Sequence, residues 1–380
     1  MELSANKIFR TVTANPANYA AGNYEIYGEL RVEKEPNSGL FEKTLSARLL
    51  PDLDDTVTFE LQDGAGDFFP LDDFDPASIN TIQPCDDNQV NAQFFAAESF
   101  GDPAEMQALT LRSSFRILNG GLPKIYNGDF FGSFLPLTKS FLTWHPGNKR
   151  VTPTQPELLH YYIQPGTISI KQKCTITFTD NTTETIDLSA FINVIANRIY
   201  RIPAGYDQLG LQDVNPSKTI AKYAIWLIDQ SETPITNQIT YIVEPVPASN
   251  TRFWMFTNSL GMWEIMRAEG KTAENLGVEK QVSSTYLPQG YDRFNGELQS
   301  SVIGSATELE VNTGYFDSKE ESLWANEIML SNKVVLLSSN RRIPYIITSN
   351  RRPVYQDKSY NWALNFDARL AFNDTKYANI

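Results

Sequence analysis

The sequence predicts a mainly β protein: tandem antiparallel β-sandwich domains followed by a mixed, β-rich C-terminal domain that carries one helix. Three observations carry that expectation. Apolar residues alternate with period two along most of the chain, short strand-forming runs are broken at roughly even spacing by Gly, Pro, Asn and Asp, and only one segment has a helical stripe with a capping signal.

In chain order, Ile26, Leu30 and Val32 alternate with Glu25, Glu29 and Arg31, and Leu45, Ala47, Leu49 and then Val57, Phe59, Leu61 continue the pattern. The clearest strand runs from Thr167 to Thr179. Ile168, Ile170, Cys174, Ile176 and Phe178 share one parity, broken by Gln172, while Lys171, Lys173, Thr175 and Thr177 hold the other, so one face is expected to be buried and one wet. Asp180-Asn181-Thr182 supplies turn chemistry before Ile186 and Leu188 resume the pattern, which predicts a hairpin with Cys174 pointing inward. A second pairing is expected between Tyr223–Ile228 and Ile239–Val243. The helix is expected near 318–330: Ser318 and Glu321 fit a capping box, Glu320 and Glu321 suit the positive end of the dipole, and Leu323, Trp324, Ile328 and Leu330 form the stripe. Val334–Leu337, Ile343–Thr348 and Trp362–Phe372 then read as a closing sheet packed on that helix.

Breaks at Asn119-Gly120-Gly121-Leu122-Pro123 and at Glu244-Pro245-Val246-Pro247 divide the chain into three expected domains, 1–122, 123–246 and 247–380. The segment Phe130 to Pro146 is assigned to the second.

Composition excludes several classes. Two cysteines cannot staple 380 residues, and two histidines leave little for a zinc site. A net charge of -13 makes nucleic acid and bare membrane poor partners, and no uncharged apolar stretch approaches the roughly 20 residues that span a bilayer. Without an export signal, the sequons at Asn181 and Asn373 are expected to be chance matches.

The charge is unevenly placed. From Leu49 to Leu111 there are 14 acidic residues and no Lys or Arg, whereas Arg341-Arg342 and Arg351-Arg352 recur ten residues apart, each pair after Ser-Asn. A solvated face is the plain account. The sharper one makes Asp52, Asp54, Asp55, Asp72, Asp73 and Asp75 of one subunit meet Arg341, Arg342, Arg351 and Arg352 of the next, a head-to-tail contact that closes into a ring. Exposed ion pairs contribute only about 0–1 kcal/mol each, so such charges would set orientation while aromatic burial supplied affinity.

Catalytic patterns are missing: no G-x-S-x-G, P-loop, G-x-G-x-x-G after a strand or H-E-x-x-H. His145 and His160 read as packed or surface histidines, and Cys85 sits in an acidic neighbourhood that disfavours a thiolate. Asp52, Asp54 and Asp55 lack the Gly and distal Glu of a calcium loop. No catalytic residue, metal or cofactor is assigned.

Phe141-Leu142-Thr143-Trp144-His145-Pro146 with Arg150-Val151-Thr152 and Gln155-Pro156-Glu157-Leu158, the run Thr257-Asn258-Ser259-Leu260-Gly261-Met262-Trp263-Glu264, and Trp324 through Leu330-Ser331-Asn332-Lys333-Val334 to the last strand resemble segments of structural proteins of Bacteroidetes phages and prophages. The resemblance spans roughly the last two thirds of the chain. It implies a non-enzymatic virion protein of the tail-tip or baseplate type, built from fibronectin-III-like or immunoglobulin-like sandwiches. Such a protein would assemble in the host cytoplasm as a homo-oligomeric ring with other virion structural proteins, away from nucleic acid and membrane. The alternatives are a carbohydrate-binding adhesin, which would expose Trp144, Trp254 or Trp263 beside Asp and Asn, and a glycan-cleaving enzyme, which needs two carboxylates about 5–9.5 Å apart in a cleft.

Overall fold

The computed structural model describes residues 1–380 except 36–37, 65–73, 87–88, 124–129, 245–249, 288, 291, 293, 295, 339–340, 350–361 and 373–380, and except the side chain of Ser133. Strands make up 51% and helices 10%, so the chain is mainly β. It divides into two compact units, Met1–Val243 with Asn258–Glu264, and Glu244–Thr257 with Ile265–Ile380.

The first unit begins with β1 (Glu2–Leu3), β2 (Phe9–Thr13), β3 (Glu25–Glu33), β4 (Phe41–Leu49), β5 (Thr56–Glu60), β6 (Gln83–Pro84), β7 (Gln89–Phe100), β8 (Glu105–Met106) and β9 (Thr110–Leu118). It continues through the helical turn α1 (Leu135–Thr138), then β10 (Asn148–Val151), β11 (Leu158–Tyr162), β12 (Ser169–Phe178), β13 (Thr183–Asp187), β14 (Ile192–Asn193), β15 (Ile199–Pro203), β16 (Ile220–Asp229) and β17 (Ile239–Val243). Two six-stranded sheets result, ordered β1-β9-β7-β3-β4 with β8 on β7, and β10-β17-β16-β12-β13 with β14 on β12. A two-stranded sheet β2-β5 and a three-stranded sheet β11-β15-β6 accompany them. The ladders β1–β9 and β10–β17 run parallel, a departure from antiparallel pairing about which period-two patterning carries no information.

The expected hairpin is β12–β13, with Cys174 opposite Ile186 and fully buried. Burial strictly alternates along β12, and the polar interruption Gln172 is buried too. Its Nε2 donates to the Pro203 carbonyl at 2.8 Å, so the amide enters the core satisfied. On the wet face Lys171 and Lys173 both reach Asp187, at 3.0 and 3.3 Å. The second expected pairing is β16–β17, with Tyr223 opposite Tyr241 and their rings stacked 5.0 Å apart.

Among the described residues, three hydrophobic clusters stand out in this unit. The first gathers Ile26, Leu30, Val32 and Phe94 from the first large sheet with Val12, Val57 and Phe59 from β2 and β5. Gly28 keeps the parity of Ile26 and Leu30 but carries no side chain because the Phe59 ring occupies the space, 2.5 Å from where a Cβ would lie. The second cluster gathers Ile170, Cys174, Ile176, Ile225 and Leu227 with Leu159, Tyr161, Tyr200 and Ile202 from the three-stranded sheet. The third joins distant pieces: Leu3, Cys85, Leu118, Phe130, Phe131, Leu135, Leu142, Tyr162, Ile199, Leu260 and Met262. Full burial of side chains of this size stabilises by about 1.5–3 kcal/mol each.

The second unit comprises β18 (Arg252–Thr257), β19 (Trp263–Ala268, in this unit from Ile265), β20 (Thr272–Ser284), β21 (Leu298–Phe316), α2 (Lys319–Ala325), α3 (Glu327–Leu330), β22 (Val334–Ser338), β23 (Arg341–Ile347) and β24 (Trp362–Leu370). Its sheet runs β19-β18-β22-β23-β24-β21-β20. Trp254 is buried edge-on to Tyr345 and Phe366, with centroids 5.4 and 5.2 Å away.

The expected helix is two short ones. Ser318 Oγ accepts from the Glu321 N–H at 3.1 Å, while the Glu321 carboxylate accepts from the Asp317 N–H, one residue before the one a capping box would use. Trp324 and Ile328, four apart, are buried, but Leu323 and Leu330, seven apart, are exposed, because at about 100° per residue the two pairs fall on different sides of the helical turns.

Candidate functional site

The most conspicuous exposed feature of the described residues is the pair β20–β21. From Thr272 opposite Val311 to Ser284 opposite Leu298 the two strands pair antiparallel, whereas β24 accompanies β21 only from Glu308 onward. The outer part is therefore a two-stranded ribbon that extends past its sheet. Alternation and cross-strand register set Leu276, Val278 and Val282 of β20 on one face with Val302 and Leu298 of β21, all between 42% and 69% exposed. Asn275, Glu279, Gln281, Ser283 and, across from Asn275, Glu308 line the other face. The single irregularity is the extra residue Ile303 in β21, so β20 itself stays regular. An isolated two-stranded ribbon is marginal in water, and a long regular edge strand is a template for another chain.

The predicted acidic patch is partly turn chemistry. Asp52 Oδ1 accepts from the backbone N–H groups of Asp54 and Thr56, both at 3.0 Å, which holds its carboxyl below the usual range, the Thr56 bond contributing most. Asp55 takes a left-handed conformation, φ 55°, and accepts from the Tyr19 hydroxyl at 2.7 Å. Desolvation, and then that bond, pushes the Tyr19 phenol up to about 12. Asp54 is exposed beside Leu53 at the tip of the same turn. Asp75 caps the short helix Pro76–Ser78 by accepting from the Ala77 N–H at 3.0 Å. Other carboxylates of the stretch find cations from outside it: Lys7 pairs with Glu60 at 2.9 Å, and Arg198 pairs with Asp86. Asp72 and Asp73 lie outside the described residues.

Arg341 and Arg342 open β23, both exposed, opposite Ser338 and Leu337. Arg351 and Arg352 lie outside the described residues. The structure thus brings Asp52, Asp54 and Asp55 together in one turn, apart from Asp75, and places two of the four arginines at a strand start.

The segment Asn258–Glu264 is a packing device of the first unit. Asn258 Nδ2 donates to the Leu142 carbonyl at 3.0 Å and to the Glu264 carboxylate, while its Oδ1 accepts from the N–H groups of Leu260 and Met262. Trp144 Nε1 donates to Ser259 Oγ at 2.8 Å, and the Gly121 N–H donates to the Ser259 carbonyl at 2.7 Å. Two of the segments quoted for the phage resemblance therefore meet in one hydrogen-bonded core. Trp254 and Trp263 are buried and Trp144 is half-buried, so they form no exposed platform.

Two carboxylates do share a cleft. Glu310 and Asp367 are direct cross-strand partners in an open, polar hollow of about 540 Å³ that Lys271, Asn312, Ser349 and Asn365 also line. Both are exposed. No group of three or more His, Cys, Asp or Glu side chains among the described residues is arranged to hold a metal ion, and no helix among them is long and apolar enough to cross a membrane. His160 is wholly buried and burial pushes its imidazole down to about 3, while burial raises the Cys174 thiol to about 12; neither is poised for chemistry at neutral pH.

Comparison with protein-family models and with curated proteins finds no match.

Proposed function

We propose that the protein is a non-catalytic structural subunit of a virus particle, of the phage tail-tip or baseplate type. It works by assembling with copies of itself into a ring and with other virion proteins, in the host cytoplasm. The observation that carries the assembly reading is the ribbon β20–β21, whose apolar face and free edge have no covering element among the described residues. The resemblance of the segments around Trp144 and Asn258 supports the virion setting.

We read the first unit as two fibronectin-III-like or immunoglobulin-like sandwiches. Support comes from its first two clusters, each of which draws side chains from a six-stranded sheet and from a smaller one. The charged patches enter as orienting elements, with Asp54 and Arg341 the exposed members whose charge is free of turn duty.

A glycan-binding module needs exposed aromatic faces, and the burial of Trp254 and Trp263 weighs toward assembly instead. Glycan cleavage needs two carboxyl groups set in a water-excluding cleft, and the exposure of Glu310 and Asp367 in an open hollow weighs against it. Native mass spectrometry of the purified chain, followed by imaging of the particle, tests the proposal. A discrete homo-oligomer that also appears in virions is expected; a chain that stays monomeric at high concentration and is absent from particles overturns it.

A further inference from the structure

We infer that β20 pairs antiparallel with β20 of a second copy about a two-fold axis that sets Gly277 opposite itself. The inference rests on the assembly reading and names the surface and the register. β20 is the last strand of its sheet, 13 residues long, without proline and without a bulge of its own. Natural edge strands are ordinarily kept short, bulged or covered.

The sequence of β20 selects one register. In a two-fold antiparallel pair, directly opposed residues lie on the same face, so the axis must pass beside a residue. With the axis at Gly277, Glu274 opposes Lys280 of the other copy and Leu276 opposes Val278, and symmetry makes each pair twice. Charge and apolar surface are thus matched in one arrangement, on the face that already carries Val282 and Val302. Moving the axis to Leu276 sets Glu274 against Val278; moving it to Val278 sets Lys280 against Leu276. At Glu279 or Lys280 it sets like charges opposite each other, which destabilises a pair. Neither Glu274 nor Lys280 forms an ion pair among the described residues, so both charges are available. Leu276 and Val278, half exposed in the single chain, become covered by each other. Combined with a head-to-tail ring contact, this two-fold contact gives a dihedral, even-numbered assembly.

The test combines charge reversal with cross-linking in the full chain. Glu274→Lys alone and Lys280→Glu alone put like charges opposite each other twice and are expected to weaken self-association about tenfold in analytical ultracentrifugation. The double swap E274K/K280E is expected to return it to within a few-fold of the parent. Under mild oxidation Gly277→Cys is expected to form a disulfide-linked dimer, and Gln281→Cys to form none, since its two copies would lie eight residues out of register. The native thiols Cys85 and Cys174 are buried and do not compete. A Cβ at Gly277 meets the end of the Glu308 side chain at 3.0 Å, which can turn aside, and the Ala306 carbonyl oxygen at an ordinary contact distance of 3.5 Å. An oligomer of odd number, or one indifferent to either single reversal, overturns this pairing while leaving the assembly reading intact. A chain that is monomeric throughout overturns both.

Discussion

Lys149 Nζ lies 2.7 Å from Glu157 Oε2, and both side chains are at least nine-tenths buried. Gln155 Nε2 donates to the second carboxylate oxygen, and the Glu157 N–H donates to Gln208 Oε1 at 2.6 Å, so the ion pair sits in a hydrogen-bonded frame that compensates part of its desolvation. Lys149→Met would take this cation from the buried Glu157 carboxylate and is expected to cost about 3–5 kcal/mol in urea unfolding, with Lys149→Met/Glu157→Leu recovering a large part.

His160 makes the first unit acid-sensitive. Burial lowers its pKa from 6.5 to about 3 and its Nε2 has no hydrogen-bond partner. The unfolded chain therefore binds a proton between those values that the folded chain refuses. Stability from this group is complete above about pH 6.5 and falls as pH drops toward 3, by about 2 kcal/mol at pH 5. Unfolding midpoints at pH 7.5 and 5 should differ less in His160→Gln than in the parent; an equal pH dependence in the two proteins would remove the assignment.

Gly261 has φ +78°, and a Cβ there would lie 2.0 Å from the Asn119 carbonyl oxygen. Gly261→Ala meets both the left-handed backbone penalty and a backbone clash, so a loss of about 2–4 kcal/mol is expected, together with faster proteolysis near Asn119. Limited proteolysis with mass mapping reads this directly.

Glu310 and Asp367 oppose each other on neighbouring strands, an arrangement that costs rather than stabilises. Glu310→Gln keeps an acceptor for Asn275 Nδ2, now 3.0 Å from Oε1, and removes one of the two like charges. It should raise stability by a few tenths of a kcal/mol. The same variant tests the cleft as a catalytic site: glycan hydrolysis by the parent and none by the variant would refute the non-catalytic reading.

Legibility in the sequence followed burial. The pattern around Cys174 was readable because one face of β12 is dry and the other wet, and the interruption at Gln172 was a buried amide with its partner on β15. The ribbon left no comparable trace: both faces of β20 meet solvent, its apolar face is interrupted by Lys280, and its partner strand is read through a bulge at Ile303. The stripe ending at Leu330 divides because Leu323 and Leu330 lie about 100° or more around the helical turns from Trp324 and Ile328. The acidic run is legible in the sequence, but composition does not show that Asp52, Asp54 and Asp55 share one turn while Asp75 caps a separate short helix, nor separate Asp52 and Asp75, which hold turns and caps, from Asp54, which does not. The role of Asn258 was hidden because its partner Leu142 lies more than a hundred residues away.

The placement of Asn258–Glu264 has a consequence for biosynthesis. A ribosome that has delivered Val243 has not yet delivered everything the first unit is made of, since Glu244–Thr257, part of the other unit, must emerge before the last piece does. During translation Leu142, Trp144 and Gly121 wait for that piece, and a nascent chain cut anywhere before Glu264 leaves the earlier unit unfinished rather than merely lacking a neighbour.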